Sequence, residues 1–202
     1  MRYNMAFTPR TTAPSTTDLR WIQVNSGGYN QCIYGYYGPP SVLPDCTGYV
    51  HGRVMEIRGV NTDDSGLSFG NGTDYWNGSS SAWIKEQDPS LGAVVCYEEA
   101  PGSGQTYGHV AVVEQVIDNN TIVVSESNYD PPVRFRTYTC YRSYGWRPTT
   151  GWNVVPQGFL RNPYVDGGGG GGGELPKSVL LLLLHYYMRR EEKNAKRITC
   201  AL

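Results

Sequence analysis

Apolar positions in the second half of the chain come in short blocks separated by Gly, Asn and Asp. Gly92-Ala93-Val94-Val95-Cys96-Tyr97 is one such block, and Gly108–Ile117 is a longer one. The latter is followed by Asp118-Asn119-Asn120 and then Thr121–Asn128, which predicts two strands joined as a hairpin. Shorter strands are predicted at Phe135–Tyr141 and Gly158–Val165. Upstream the period changes. Between Asp45 and Ile57, the apolar residues Tyr49, Val50, Val54 and Ile57 recur at helical spacings, and Asp45 after Pro44 is a good N-cap. Residues 60–82 are dense in Asn, Gly, Ser and Asp and read as loop. One or two helices followed by antiparallel strands predict an α+β fold.

The flanks have a different character. Residues 1–20 are rich in Thr, Pro and Ser and read as an arm, ahead of a globular region at 21–165. Seven glycines, Gly167–Gly173, mark a tether within 166–174. The tail at 175–202 carries an apolar run, Val179–Met188, and a basic end. That run is too short for a helix crossing a bilayer, which needs roughly 20 residues, so no stable membrane span is expected. No signal-peptide pattern is visible at the N-terminus.

Charge and cysteine usage narrow the function. The formal net charge is −1, which offers no basic field for nucleic acid. The five cysteines, Cys32, Cys46, Cys96, Cys140 and Cys200, are odd in number and include no CxxC pair, against a zinc knuckle or a complete disulfide framework. Cys46 alone stands at a predicted helix start, where unpaired N–H groups and the helix dipole stabilise a thiolate. Cys96 and Cys140 fall in predicted strands and read as small buried residues.

Three histidines are available as a base. His185 lies in the tail. His51 is about 140° around the helix from Cys46 and so would not share its face. His109 opens the longest strand. A cysteine at a helix start and a histidine at a strand end are each more often packing residues, so this pair needs a third member. With a two-residue turn at Asn119-Asn120, His109 faces Asp130, with Glu126 and Asn128 on its side of the sheet. In that register Glu126 is four residues away, roughly 13 Å along the strand. A tighter turn near Ile117-Asp118 would bring it opposite His109, and pattern alone does not choose between Glu126 and Asn128.

Asp45–Arg53, Gly108–Glu114 and Ser125–Tyr129 together resemble the three blocks of the CHAP family, the cysteine, histidine-dependent amidohydrolases/peptidases of the papain-like superfamily. Gly70–Trp76 and Gly92–Val95 are similar to further family features, and the likeness runs from about residue 25 to 145. The resemblance implies a papain-like fold with N-terminal helices packed on a central antiparallel sheet. It implies hydrolysis of an amide bond of bacterial peptidoglycan, as an N-acetylmuramoyl-L-alanine amidase or an endopeptidase. Cys46 would be the nucleophile, His109 the base, Glu126 the residue orienting it and Asn128 a supporting polar group. Residues 60–83 and 97–107 would wall the cleft, with Trp76, Trp83 and Tyr107 as substrate contacts or as packing.

The chain departs from the family pattern in places. Asp45 stands where Asn or Gln is common, and its charge opposes a thiolate unless it caps the helix. Gly27–Pro44 lacks the acidic residues of the calcium loop seen in some phage members, so neither metal nor cofactor is expected. No wall-binding repeat follows the domain. The expected setting is a phage lysin at the host wall, released from the host cytoplasm or carried on the virion. The rival reading is a catalytically inactive wall-binding module.

Overall fold

The computed structural model describes residues 7–14, 45–60, 64–104, 106–127, 129 and 135–165. The chain divides into two units at Gly170/Gly171, and the second, with the polyglycine stretch and His185, lies outside the described residues. So do Cys32, Asn128 and Cys200.

The predicted helix forms as α1, Cys46–Arg58. Asp45 is its N-cap, with extended backbone, and its side chain accepts from the Gly48 N–H at 3.2 Å. Gly59, in the left-handed region at φ 66°, ends it. The Gly59 N–H donates to the Glu56 carbonyl and the Val60 N–H to that of Met55, which satisfies the last carbonyls. Residues 47–55 are buried all round rather than on one stripe, because other segments cover the side turned away from the sheet. There, the Tyr75 hydroxyl donates to the Thr47 carbonyl and His51 Nε2 donates to that of Ser68.

Six strands follow among the described residues: β1 Ile84–Glu86, β2 Val94–Glu99, β3 His109–Asp118, β4 Thr121–Ser127, β5 Phe135–Tyr141 and β6 Val154–Arg161. They form one antiparallel sheet in the order β1-β6-β2-β3-β4-β5. This is the α+β class expected, with α1 packed on β3 and β4. Val110-Ala111-Val112-Val113 shows no polar alternation because both faces of the sheet are covered. Val110 and Val112 pack with Tyr49, Val50 and Val54 of α1. Ala111 and Val113 pack on the opposite side with Val124, Trp146, Trp152 and Phe159.

Three expectations need correction. The last strand is 154–161, not 158–165: after Arg161 the Asn162 side chain accepts from the Tyr164 N–H, closing a local turn ahead of which the ladder ends. The stretch 60–82 is not all loop, since it holds a 3₁₀ turn at Gly72–Asp74 and a short helix, α2, Tyr75–Gly78. The arm at 1–20 is not a free linker throughout. Within it, Arg10 donates its backbone N–H to Glu114 and pairs through its guanidinium with Glu56 of α1, and the Thr8 carbonyl accepts from Arg53.

The hairpin turn is the one expected, with Asp118 paired to Thr121, but the register beyond it is not. It slips once between Val116 and Asp118 and again between Val113 and Gln115. Each slip is a bulge, one extra residue on β3 that advances β4 by one position. Val112 is therefore paired with Ser125, which brings Glu126 level with Ala111.

Because Asn caps helices about as well as Asp, Asp45→Asn is expected to keep stability within a few tenths of a kcal/mol, whereas Asp45→Ala costs about 1 kcal/mol. Urea unfolding midpoints of the two variants check this, and equal losses would show that the cap contributes nothing.

Candidate active site

Cys46 is the first residue of α1, half-buried and a free thiol. His109 is the first residue of β3 and almost wholly buried. The fold brings them together, with the imidazole in hydrogen-bond contact with Cys46. On its other side, His109 Nε2 stands 3.3 Å from Glu126 Oε2. Those two atoms are off the line of the ring N–H, so the contact is an ion pair more than a directed hydrogen bond. Glu126 is buried in β4, and its Oε2 also accepts from the Tyr129 N–H at 2.9 Å.

The two bulges explain how Glu126 gets there. Each moves β4 by one residue, so a separation of four residues becomes two. That is a diagonal cross-strand pair, Cα atoms roughly 7–8 Å apart and within reach of long side chains. A slipped ladder, not a tighter turn, makes the contact. Asn128 lies outside the described residues.

Electrostatics follow from this placement. Burial alone would depress the His109 pKa. The charge of Cys46, its hydrogen bond to the ring, and Glu126 outweigh burial and raise the pKa from 6.5 to about 10. Asp45 is also close. Burial pushes its carboxyl pKa up, against hydrogen bonds from Gly48 and Thr47 and the charge of His109. Its Oδ1 is held by the Gly48 N–H and the Thr47 hydroxyl, so it does cap the helix. The other described thiols are inert by comparison: burial pushes Cys140 up to about 12 and Cys96 higher still.

Sequence reasoning missed the walls around the imidazole. Tyr129 and Trp152 stack on each other at 3.9 Å between ring centroids, and both meet His109 edge-on, at 5.2 and 6.0 Å. Tyr97 closes another side at 6.1 Å. These rings exclude water from the ion pair and restrict the imidazole to one orientation. Tyr129 is the last residue of the third motif block and could have been suspected, but Trp152 stands in a Gly/Thr-rich stretch with no signal of its own. The backbone is equally confined. A Cβ at Gly72 would lie 2.6 Å from the His109 backbone nitrogen. Gly108, at φ +63°, sits against the Tyr97 carbonyl and the Thr73 amide.

The expected cleft aromatics separate. Trp83 is 3% exposed, with its indole N–H donating to the Ser65 carbonyl at 2.8 Å, so it is core and not a substrate contact. Trp76 is half-buried beside Gly158, with Lys85 Nζ 5.1 Å from its ring centroid. Tyr107 is 64% exposed, and its carbonyl accepts from the Thr73 N–H next to Gly72, which places it at the rim of the site. His51 stacks on Phe69 at 4.8 Å and takes no part in the site. Among the described residues, no three His, Cys, Asp or Glu side chains are grouped to hold a metal ion, and no helix is long and apolar enough to cross a membrane. The segment Gly27–Pro44 lies outside the described residues.

The CHAP-domain profile matches residues 25–128, slightly more than half of the chain, a span that includes Cys46, His109, Glu126 and Asn128. This chain belongs to the CHAP family. Among solved structures, this CHAP domain is similar to an N-acetylmuramoyl-L-alanine amidase from Staphylococcus aureus. The two are 30% identical, over 50% of this chain and 28% of that one, with a TM-score of 0.32. The chain thus spans less than a third of that protein's length.

Gly72→Ala is expected to cost about 1–3 kcal/mol, because the new methyl meets backbone that cannot swing aside. It should also slow carboxymethylation of Cys46 by displacing His109. Thermal unfolding and mass mapping of the alkylated peptide check both, and a variant with wild-type values in each would show that Gly72 does not confine His109.

Proposed function

We propose that this CHAP domain hydrolyses an amide bond of bacterial peptidoglycan with Cys46 as nucleophile, His109 as base and Glu126 as the residue that orients and charges the imidazole. The observation that carries the reading is a half-buried thiol at a helix start, hydrogen-bonded to a buried imidazole that is itself paired with a buried carboxylate. Membership of the CHAP family supports peptidoglycan as the substrate class.

In this reading the reaction is acyl transfer to the cysteine. With Nε2 turned to Glu126, Nδ1 is the ring nitrogen left to face Cys46, and the proton it carries is the one taken from the thiol, so the attacking group is a thiolate beside an imidazolium. The thiolate attacks the amide carbonyl, forming a C–S bond and an oxyanion, which backbone N–H groups at the start of α1 are placed to stabilise. The intermediate then collapses, the C–N bond breaks, and the imidazolium protonates the leaving amine. Water, deprotonated by His109, attacks the thioester, breaking the C–S bond and releasing the acid and the free thiol. The amide cut is the one joining muramic acid to L-alanine, or a peptide bond of the stem or bridge. Mass spectrometry of released fragments distinguishes these by their new N-termini. We read the setting as a phage lysin acting at the host wall, one of the groups of enzymes in which CHAP domains occur. Lysis of intact host cells by added protein tests whether it works from outside.

Purified cell walls should lose turbidity with the wild type and stay intact with Cys46→Ala, at least 10³-fold slower on the scale of removing an essential nucleophile (about 10⁶-fold in the best-known case). A Cys46→Ala protein that clears walls at the wild-type rate overturns the assignment.

The raised His109 pKa also predicts a pH dependence of stability. The folded imidazole keeps its proton to about pH 10, against 6.5 when free. That proton therefore stabilises the fold fully below pH 6.5, and the contribution is lost as pH rises through about 10. The stability difference between wild type and His109→Gln, measured by urea unfolding, should shrink between pH 6 and pH 10.5. A constant difference would show that the charge is not held.

A further inference from the structure

Glu114 lies on β3, wholly buried, and takes no part in the chemistry above. Its carboxylate has four lone-pair positions, and all four are used. Oε1 accepts from Arg53 Nε at 2.9 Å and from the Ser125 hydroxyl at 2.7 Å. Oε2 accepts from Arg53 Nη2 and from the Arg10 backbone N–H, each at 2.8 Å. The Ser125 oxygen accepts in turn from the Tyr49 hydroxyl at 2.7 Å.

The positions of these partners matter more than their number. Cys46, Tyr49 and Arg53 are at i, i+3 and i+7, one stripe of α1. The stripe that presents the thiol to His109 is thus pinned twice below it, by Tyr49 to β4 through Ser125 and by Arg53 to β3 through Glu114. Glu114 also sits where the β3–β4 register slips between Val113 and Gln115, one of the two bulges that bring Glu126 to His109. Ser125, its hydrogen-bond partner, is the residue before Glu126. One carboxylate therefore joins the helix that carries the thiol to the slipped strands that carry the imidazole and its partner. The N-terminal segment closes the arrangement from outside, through the Arg10 N–H on Glu114 and the Thr8 carbonyl on Arg53 at 2.7 Å.

We propose that Glu114 is a positioning residue for the Cys46–His109–Glu126 site, acting through Arg53 and the Ser125–Tyr49 pair, with residues 8–10 as part of the same clamp. The proposal rests on the cysteine–histidine reading of the site. Removing the clamp frees α1 to slide or rotate against the sheet and lets the ladder return toward its unslipped register. Both changes alter the distance from the imidazole to its partners while the core stays buried.

The test is the rate of Cys46 carbamidomethylation by iodoacetamide at neutral pH in the full chain, read on the Cys46 peptide, beside wall clearing, at a temperature where circular dichroism shows each variant folded. Glu114→Gln keeps the shape and removes the charge. It is expected to slow Cys46 modification and clearing together by about tenfold or more, since sub-ångström to ångström displacements of reacting groups carry losses up to about 10²-fold. Ser125→Ala, which removes one of the four bonds, should act in the same direction by a smaller factor and serves should Glu114→Gln not fold. Variants that lower the melting temperature yet leave both rates at wild-type values would overturn the clamp and leave Glu114 a stability residue. His109→Ala separates the two claims. If it slows Cys46 modification while the clamp variants do not, the site reading stands and the clamp falls. If it too leaves the rate unchanged, the cysteine–histidine reading fails and the clamp with it.

Discussion

An imidazole removed from water loses its proton unless negative groups approach its ring nitrogens. His109 is buried, and the chain holds it charged by setting Cys46 at one side and Glu126 at the other. Meeting that condition constrains most of the domain. The thiol comes from a helix start, where the helix dipole favours negative charge. The carboxylate must come from the neighbouring strand at a diagonal, and the ladder has to slip twice to provide it. The remaining space is filled with rings, Tyr97, Tyr129 and Trp152, so that water does not compete for the charge.

Legibility in the sequence tracks how local each determinant is. The helix start, its Asp45 cap and the candidacy of Cys46 are written within a dozen residues, and so is the Asn119-Asn120 turn. The choice of His109 over His51 followed from helix geometry, and the structure turns His51 to Phe69 and Ser68 as that geometry requires. The register of the hairpin was not legible. One of its bulges carries Glu114, whose partners Arg53 and Arg10 lie 61 and 104 residues away, and no local pattern announces them. The contact between Glu126 and His109 was therefore out of reach of a count that assumed an unbroken ladder.

The three aromatics proposed for the cleft show the same limit from another direction. Trp76, Trp83 and Tyr107 are alike in type and sit in similar Gly- and Ser-rich surroundings, yet one is half-buried, one is core and one is exposed. What separates them is which carbonyl or backbone stands opposite, such as the Ser65 oxygen that takes the Trp83 N–H. The N-terminal arm belongs here as well. Its Thr/Pro composition reads as linker, but the Arg10 backbone N–H, the Arg10 guanidinium and the Thr8 carbonyl bind it to Glu114, Glu56 and Arg53.

The unequal lengths of the hairpin arms have a consequence for how such a domain can vary. β3 is ten residues long and β4 seven. Two of the three surplus residues are held in bulges, so the sheet could lose one residue of β3 and still form a continuous ladder with its apolar faces covered. Such a shortened strand would shift the partner of His109 by one position, roughly 3.3 Å, and turn it to the other face of the sheet. In this hairpin a single-residue deletion and a point substitution are therefore opposite kinds of lesion: the first spares the architecture and removes the alignment, the second can spare the alignment and weaken the architecture.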